Sequence, residues 1–153
     1  SAAGVMLAGS LMKNIFEEFA WRGYLTPRLD AAKIHPMLNH FIVSVLWMTW
    51  HLPYYYYYLD RNVLNSAITT SVPVFILTGY LVMFPTAILF GELRLLSKSV
   101  WTVFILHCVI NALSMPLLIN GFIKLNGIAG VILTPTNEGI VTSLLVGAAG
   151  WML

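Results

Sequence analysis

Glu17-Glu18-Phe19-Ala20-Trp21-Arg22-Gly23 sets two adjacent carboxylates and an arginine inside otherwise apolar sequence. In a helix each residue turns about 100°, so Glu18 and Arg22, four apart, share a face and neutralise each other. Glu17 points about 140° away from Arg22 and is left for another task. Lys13, four residues before Glu17, offers a partner, although lysine ahead of glutamate is the weaker helical order. An ionised side chain at the centre of a bilayer costs roughly 2.5–3.5 kcal/mol on insertion scales, so this cluster needs a reason. Two readings compete: a catalytic carboxylate beside a structural ion pair, or a juxtamembrane helix end whose charges face water.

The surrounding composition decides the class. The chain has 153 residues, 59% hydrophobic and 9% charged, with a mean hydropathy of +0.82. Soluble domains carry about 25% charged residues, so this is the sequence of a membrane protein. A net charge of +2 with scattered basic residues gives no ground for a nucleic-acid partner. The single Cys108 forms no internal disulfide and reads as a small core residue.

Working outward, segment one runs from about Ala2 to Leu25. Its opening Ala2–Met12 run is apolar like a signal peptide but lacks a preceding basic stretch and a cleavage site, so it reads as membrane helix. Pro27 is expected to break the helix, and Arg28, Asp30, Lys33 and His35 to form a polar connection closed by Pro36. Segment two starts near Asn39 and continues through Phe41–Leu59, interrupted by Pro53; Asp60, Arg61 and Asn62 make a loop. Segment three, Ala67–Phe90, carries no charge and is long enough to cross a hydrocarbon core of ~30 Å, with Pro73 and Pro85 placed to kink it. Glu92, Arg94 and Lys98 form the next loop, and segment four spans Val100–Ile119. Gly127–Leu133 is too short to span alone, Pro135–Glu138 reads as a turn, and Ile140–Leu153 as a last helix. The chain is thus expected to be a single membrane-embedded domain, all-α, a polytopic transmembrane helix bundle and a fragment of a longer protein.

Loop charges orient it. Arg28, Lys33, Arg94 and Lys98 follow segments one and three, so by the positive-inside rule those connections are cytoplasmic. The run Tyr54–Tyr58 then lies toward the opposite interface as an aromatic belt. Glu17, His51 and His107 fall at similar depth, roughly 10–18 Å in from the cytoplasmic side. Asn111 follows His107 by four and shares its face; Trp47 stands in the same relation to His51. His35 and His40 flank Pro36 near the interface and are expected to be solvated.

A carboxylate with an imidazole can deprotonate water, and an imidazole with a carboxamide can stabilise an oxyanion. Alternatively Glu17, His51 and His107 could hold a catalytic Zn²⁺. The zinc-protease spacing H-E-x-x-H and the serine elbow G-x-S-x-G are both absent.

Three motifs now stand in order. Glu17-Glu18-Phe19-Ala20-Trp21-Arg22 matches E-E-x-x-x-R, and His107-Cys108-Val109-Ile110-Asn111 matches H-x-x-x-N. Between them, Trp47-Met48-Thr49-Trp50-His51 stands where F-x-x-x-H is usual, a change of shape without titrating chemistry. Over about Glu17–Leu113 the chain resembles the CAAX protease and bacteriocin-processing (CPBP, or Abi) family of intramembrane endopeptidases. The resemblance implies a bundle of about eight helices in the whole protein. It implies Glu17 as general base, acting with His51 on water, His107 and Asn111 as an oxyanion pocket, and Glu18 and Arg22 as support, with no cofactor or metal required. The implied substrates are membrane-held: a prenylated CAAX tail, a bacteriocin leader or a similar peptide in contact with membrane lipid.

The bundle is expected to gather segments one, two and four around a cytoplasmic-side site, with segment three peripheral. One rival is a non-catalytic immunity or scaffold protein that uses the same polar residues for packing. Another is a transporter, although paired broken helices are not seen. An enzyme needs a cavity touching Glu17, His51, His107 and Asn111 together.

Overall fold

A computed structural model describes residues 2–58, 71–119 and 139–153; among these, the side chains of 2–7 and 113–119 are left aside. The described chain is all-helical: α1 (Ala2–Glu18), α2 (Thr26–Ala31), α3 (Pro36–Pro53), α4 (Val72–Ser97), α5 (Val100–Ile119) and α6 (Ile140–Trp151). The expected loop at Asp60, Arg61 and Asn62, the start of segment three at Ala67, the Gly127–Leu133 stretch and the Pro135–Glu138 turn lie outside the described residues.

Pro27 does not break the first segment. Between α1 and α2 the backbone stays helical through a wide π-helical stretch, Phe19–Leu25, in which the Thr26 N–H reaches back five residues to the Trp21 carbonyl. A proline ring collides with the carbonyl four residues earlier and brings no N–H. Widening the turn relieves the collision, and Pro27 then occupies the first turn of α2, where a missing N–H costs least. In the same wide register the Arg22 carbonyl would pair with residue 27; Arg94 Nε donates to it instead, at 2.9 Å. The helix ends only after Ala31, where Lys33 (φ 57°) closes a Schellman turn with bonds Lys33 N–H to Asp30 O and Ile34 N–H to Leu29 O.

Segment three also differs from expectation. It runs on to Ser97, so Glu92 and Arg94 belong to α4 and not to a loop, and the turn falls at Lys98 (φ 53°). Nor is it peripheral. Phe90 is buried with Trp47 and Val103 in the apolar core, and α4 packs against both α3 and α6. Two glycines of α6 allow this: a Cβ on Gly147 or Gly150 would collide with the α4 backbone at Pro85 or Leu89. Small residues at such crossings let membrane helices approach closely.

His40 is a further correction. It is 1% exposed, not solvated, and its Nε2 lies 2.7 Å from Glu92 Oε1. Gly91 opposite leaves the space that the imidazole fills. This pair and the Arg94–Arg22 bond bring the connections after α2 and after α4 to one end of the bundle.

Buried and exposed residues are distributed as in a membrane protein. Asn14, Glu17, Glu18, Arg22, Asn39, His40 and His107 are buried, whereas Phe16, Trp50, Leu77, Leu81, Trp101 and Ile105 are exposed. Among the described residues α4 is the one helix long and apolar enough alone to cross a membrane, with a mean hydropathy of 2.0 over its best window.

Candidate functional site

The site is built from α1. Glu17 and Glu18 follow Asn14 by three and four residues, which puts all three on the inner side of the helix. Their exposures are 0, 4 and 0%, so each needs a partner from another element.

Glu18 finds two, and both meet the same oxygen. Arg22 Nη1 donates to Oε1 at 3.2 Å, as the i, i+4 spacing implied, and His107 Nδ1 approaches Oε1 at 2.7 Å. Arg22 is completely buried, and its guanidinium carbon lies 4.0 Å from the Trp47 ring centroid and 4.9 Å from that of Phe90. An always-charged group so deep is stabilised by its carboxylate and by the negative faces of those rings.

Glu17 is held differently. Its Oε2 accepts a 3.0 Å hydrogen bond from the Trp47 indole N–H. Its Oε1 lies 3.7 Å from His51 Nε2 and pairs with Lys13 Nζ at 3.0 Å. The Lys13 contact thus forms despite the unfavourable order, from a lysine side chain half exposed at the rim. His51 turns its Nδ1 to the carbonyl of Trp47, 2.8 Å away, and stacks on Tyr55. A carbonyl only accepts, so Nδ1 carries the proton and Nε2 faces Glu17 with its lone pair when the ring is neutral. Treating tryptophan in the second motif as a change of shape alone missed this donor, which phenylalanine cannot provide.

Asn111 is anchored one turn further along α5. Its Nδ2 donates to Asn14 Oδ1 at 3.0 Å, and Asn14 Nδ2 points to Cys108 Sγ at 3.4 Å. Sequence reasoning passed over Asn14. The available signal was a carboxamide within an apolar helix, at i−3 and i−4 from the two glutamates.

Thus α1 brings Glu17 to His51, Glu18 to Arg22 and His107, and Asn14 to Asn111. Trp47 lies among them, with ring centroids 6.5 Å from His51 and 5.7 Å from His107. Among the described residues no three His, Cys, Asp or Glu side chains gather as metal ligands, because His107 turns its Nδ1 to Glu18 while His51 faces Glu17. Two surface clefts of about 500 Å³ each lie elsewhere. One is lined by Phe19, Tyr24, Arg94, Lys98 and Trp101, the other by Met37, Phe84, Ile88, Leu144 and Trp151; neither reaches the cluster.

Ionisable and amide side chains gathered from α1, α3 and α5, inside helices with apolar outer faces, define the polar centre of an integral membrane protein. Its family follows from comparison with known proteins. Residues 1–113 match the family model described as type II CAAX prenyl endopeptidase Rce1-like, and the chain belongs to that family. The match contains all three motifs and bears out the resemblance drawn from them. The family consists of integral membrane proteins with CAAX-type protease activity toward prenylated, membrane-anchored substrates. Neither curated proteins nor solved structures returned a match.

Proposed function

We propose that this chain is the catalytic core of an intramembrane endopeptidase in which Glu17, with His51, activates the attacking water. One observation carries the reading: the buried Glu17 Oε1, whose other neighbour is the half-exposed Lys13 at 3.0 Å, lies 3.7 Å from the lone-pair nitrogen of His51. Two acceptors so placed do not bond to each other, but suit one water donating an O–H to each.

The chemistry then runs without a cofactor. Glu17 takes one proton from the water, and the oxygen bonds to the scissile carbonyl carbon as the carbonyl electrons move onto its oxygen. When that intermediate collapses, the C–N bond breaks and the Glu17 carboxylic acid returns the proton to the departing amine. His107 and Asn111 face the developing oxyanion. His107 gives its Nδ1–H to Glu18, so donation to that oxygen from Nε2 requires the doubly protonated ring. Asn111 keeps its second amide hydrogen for the same oxygen, since the first is given to Asn14.

The substrate class is a membrane-held peptide, with a prenylated CAAX-type tail first among the candidates and a bacteriocin leader second. The reaction lies toward the cytoplasmic side, consistent with the basic residues at the end where the connections after α2 and α4 meet. A non-catalytic partner of the same fold is the second reading, favoured by the two surface clefts' distance from the cluster.

Full-length protein in lipid, offered prenylated and unprenylated CAAX peptides and unrelated membrane peptides, tests this by mass spectrometry of the products. Cleavage of a prenylated tail that survives chelation and is lost in Glu17→Gln is the expected result. Cleavage abolished by chelation and restored by Zn²⁺ assigns Glu17, His51 and His107 as ligands instead. An absence of product from all three peptide classes favours the non-catalytic reading.

A further inference from the structure

We infer that Trp47 is the positioning residue of this centre, fixing Glu17 with its side chain and His51 with its backbone; the role rests on the glutamate reading above. The indole N–H occupies Glu17 Oε2 at 3.0 Å, so the carboxylate cannot turn without breaking a buried hydrogen bond. That leaves Oε1 as the oxygen facing His51. The carbonyl of the same residue accepts from His51 Nδ1 at 2.8 Å and thereby selects which ring nitrogen faces Glu17. One residue thus sets both partners of the water.

The rest of Trp47 keeps it still. It is 4% exposed, with Arg22 over its ring at 4.0 Å, Phe90 at a centroid distance of 5.8 Å and His107 edge-on at 5.7 Å. Its position is set by aromatic and cationic neighbours on three other elements, and its donor follows. Orienting groups behind a reacting side chain act in this way in other polar sites, where they fix ring orientation and tautomer. Phenylalanine would keep most of the packing and the backbone carbonyl, but not the lock on Glu17.

The test uses full-length protein in lipid, with Trp47→Phe and, as a closer isostere, 3-benzothienylalanine at position 47, which replaces the indole N–H by sulfur. Both variants are expected to lower kcat on a prenylated CAAX peptide by about ten- to a hundredfold, the range of a hydrogen bond to a charged group, with KM nearly unchanged. Neither should cost anything further on a Glu17→Gln background. An independent readout is the ¹⁵N indole resonance of Trp47, assigned by its loss in Trp47→Phe. It should shift in Glu17→Gln and stay in place in Glu92→Gln, at the His40 pair two helical turns before Trp47. Unchanged kcat in the isostere, or an indole resonance indifferent to Glu17, overturns the proposal while an inactive Glu17→Gln protein leaves the glutamate reading standing. An active Glu17→Gln protein removes the glutamate reading itself.

Discussion

The pockets entered by Glu17 and Glu18 are a single residue apart on one helix, and they are built differently. Around Glu18, one carboxylate oxygen takes both Arg22 and His107, at 3.2 and 2.7 Å, with Arg22 fully buried. Around Glu17, one oxygen is held by Trp47, while the other meets a 3.7 Å gap to His51 and a half-exposed lysine. Glu18 Oε1 is already taken by two partners deep in the protein, and its Oε2, although unpartnered, faces no imidazole lone pair among the described residues. Glu17 is held by Trp47 at one oxygen and presents the other to His51 Nε2 across 3.7 Å, so it is both oriented and beside a place for water. In a buried charged cluster, chemistry is to be sought at the carboxylate that faces an imidazole lone pair, not at the tightest ion pair.

Removing the charge of Glu17 should have the greatest consequence for turnover. Glu17→Gln retains the volume and the Trp47 bond but removes the base, so peptide cleavage should fall by about 10²–10⁴ with an unchanged thermal midpoint. Matched turnover and melting measurements check it; retained turnover would end the assignment of Glu17.

Glu18→Gln should do the reverse. It leaves Arg22 buried without its counter-charge, and breaking such a pair by removing one partner costs about 3–5 kcal/mol of stability. Denaturant or thermal unfolding in lipid or detergent should report this loss, with only partial loss of cleavage from protein that remains folded. If Glu18→Gln instead abolishes turnover at full stability, the two glutamates have exchanged roles.

Asn111→Ala tests the other end of the site. Loss of an oxyanion donor typically lowers kcat by about 10²–10³, with little effect on KM. A comparable rise in KM with kcat intact would make Asn111 a binding or packing residue held by Asn14.

What was legible in the sequence was local. The i, i+4 partnership of Glu18 with Arg22 follows from helical geometry, as does the shared face of His107 and Asn111. The helical segments follow from apolar runs between polar breaks. Partners distant in sequence were not legible. Nothing in the periodicity of α3 links Trp47 to Glu17, or His40 to Glu92, because each contact depends on how helices cross. The His40 pocket exists because Gly91 has no side chain, and α6 lies close to α4 through Gly147 and Gly150. The central place of α4 was hidden for the same reason: a charge-free segment reads equally well as lipid-facing or as core. Pro27 misled in another way. Its usual meaning is a break, but a π-helical turn absorbs it, and the displaced Arg22 carbonyl is taken by Arg94.

Lys13 should matter least, and its substitution separates the two glutamates most directly. Lys13 contacts Glu17 Oε1 at 3.0 Å, so a structural role for Glu17 would rest on this pair much as that of Glu18 rests on Arg22. The settings are unlike, however. The Lys13 side chain is 51% exposed where that of Arg22 is 0%, and exposed pairs contribute about 0.2–1 kcal/mol. Lys13 also lies ahead of its glutamate, the weaker helical order. Lys13→Met should therefore lower stability by less than about 1 kcal/mol and leave turnover within about fivefold of the parent. The change should also diminish with added salt, because an exposed pair is screened. A large loss of stability, matching that of Glu18→Gln, would show that both carboxylates are structural, and the search for the base would move to His51.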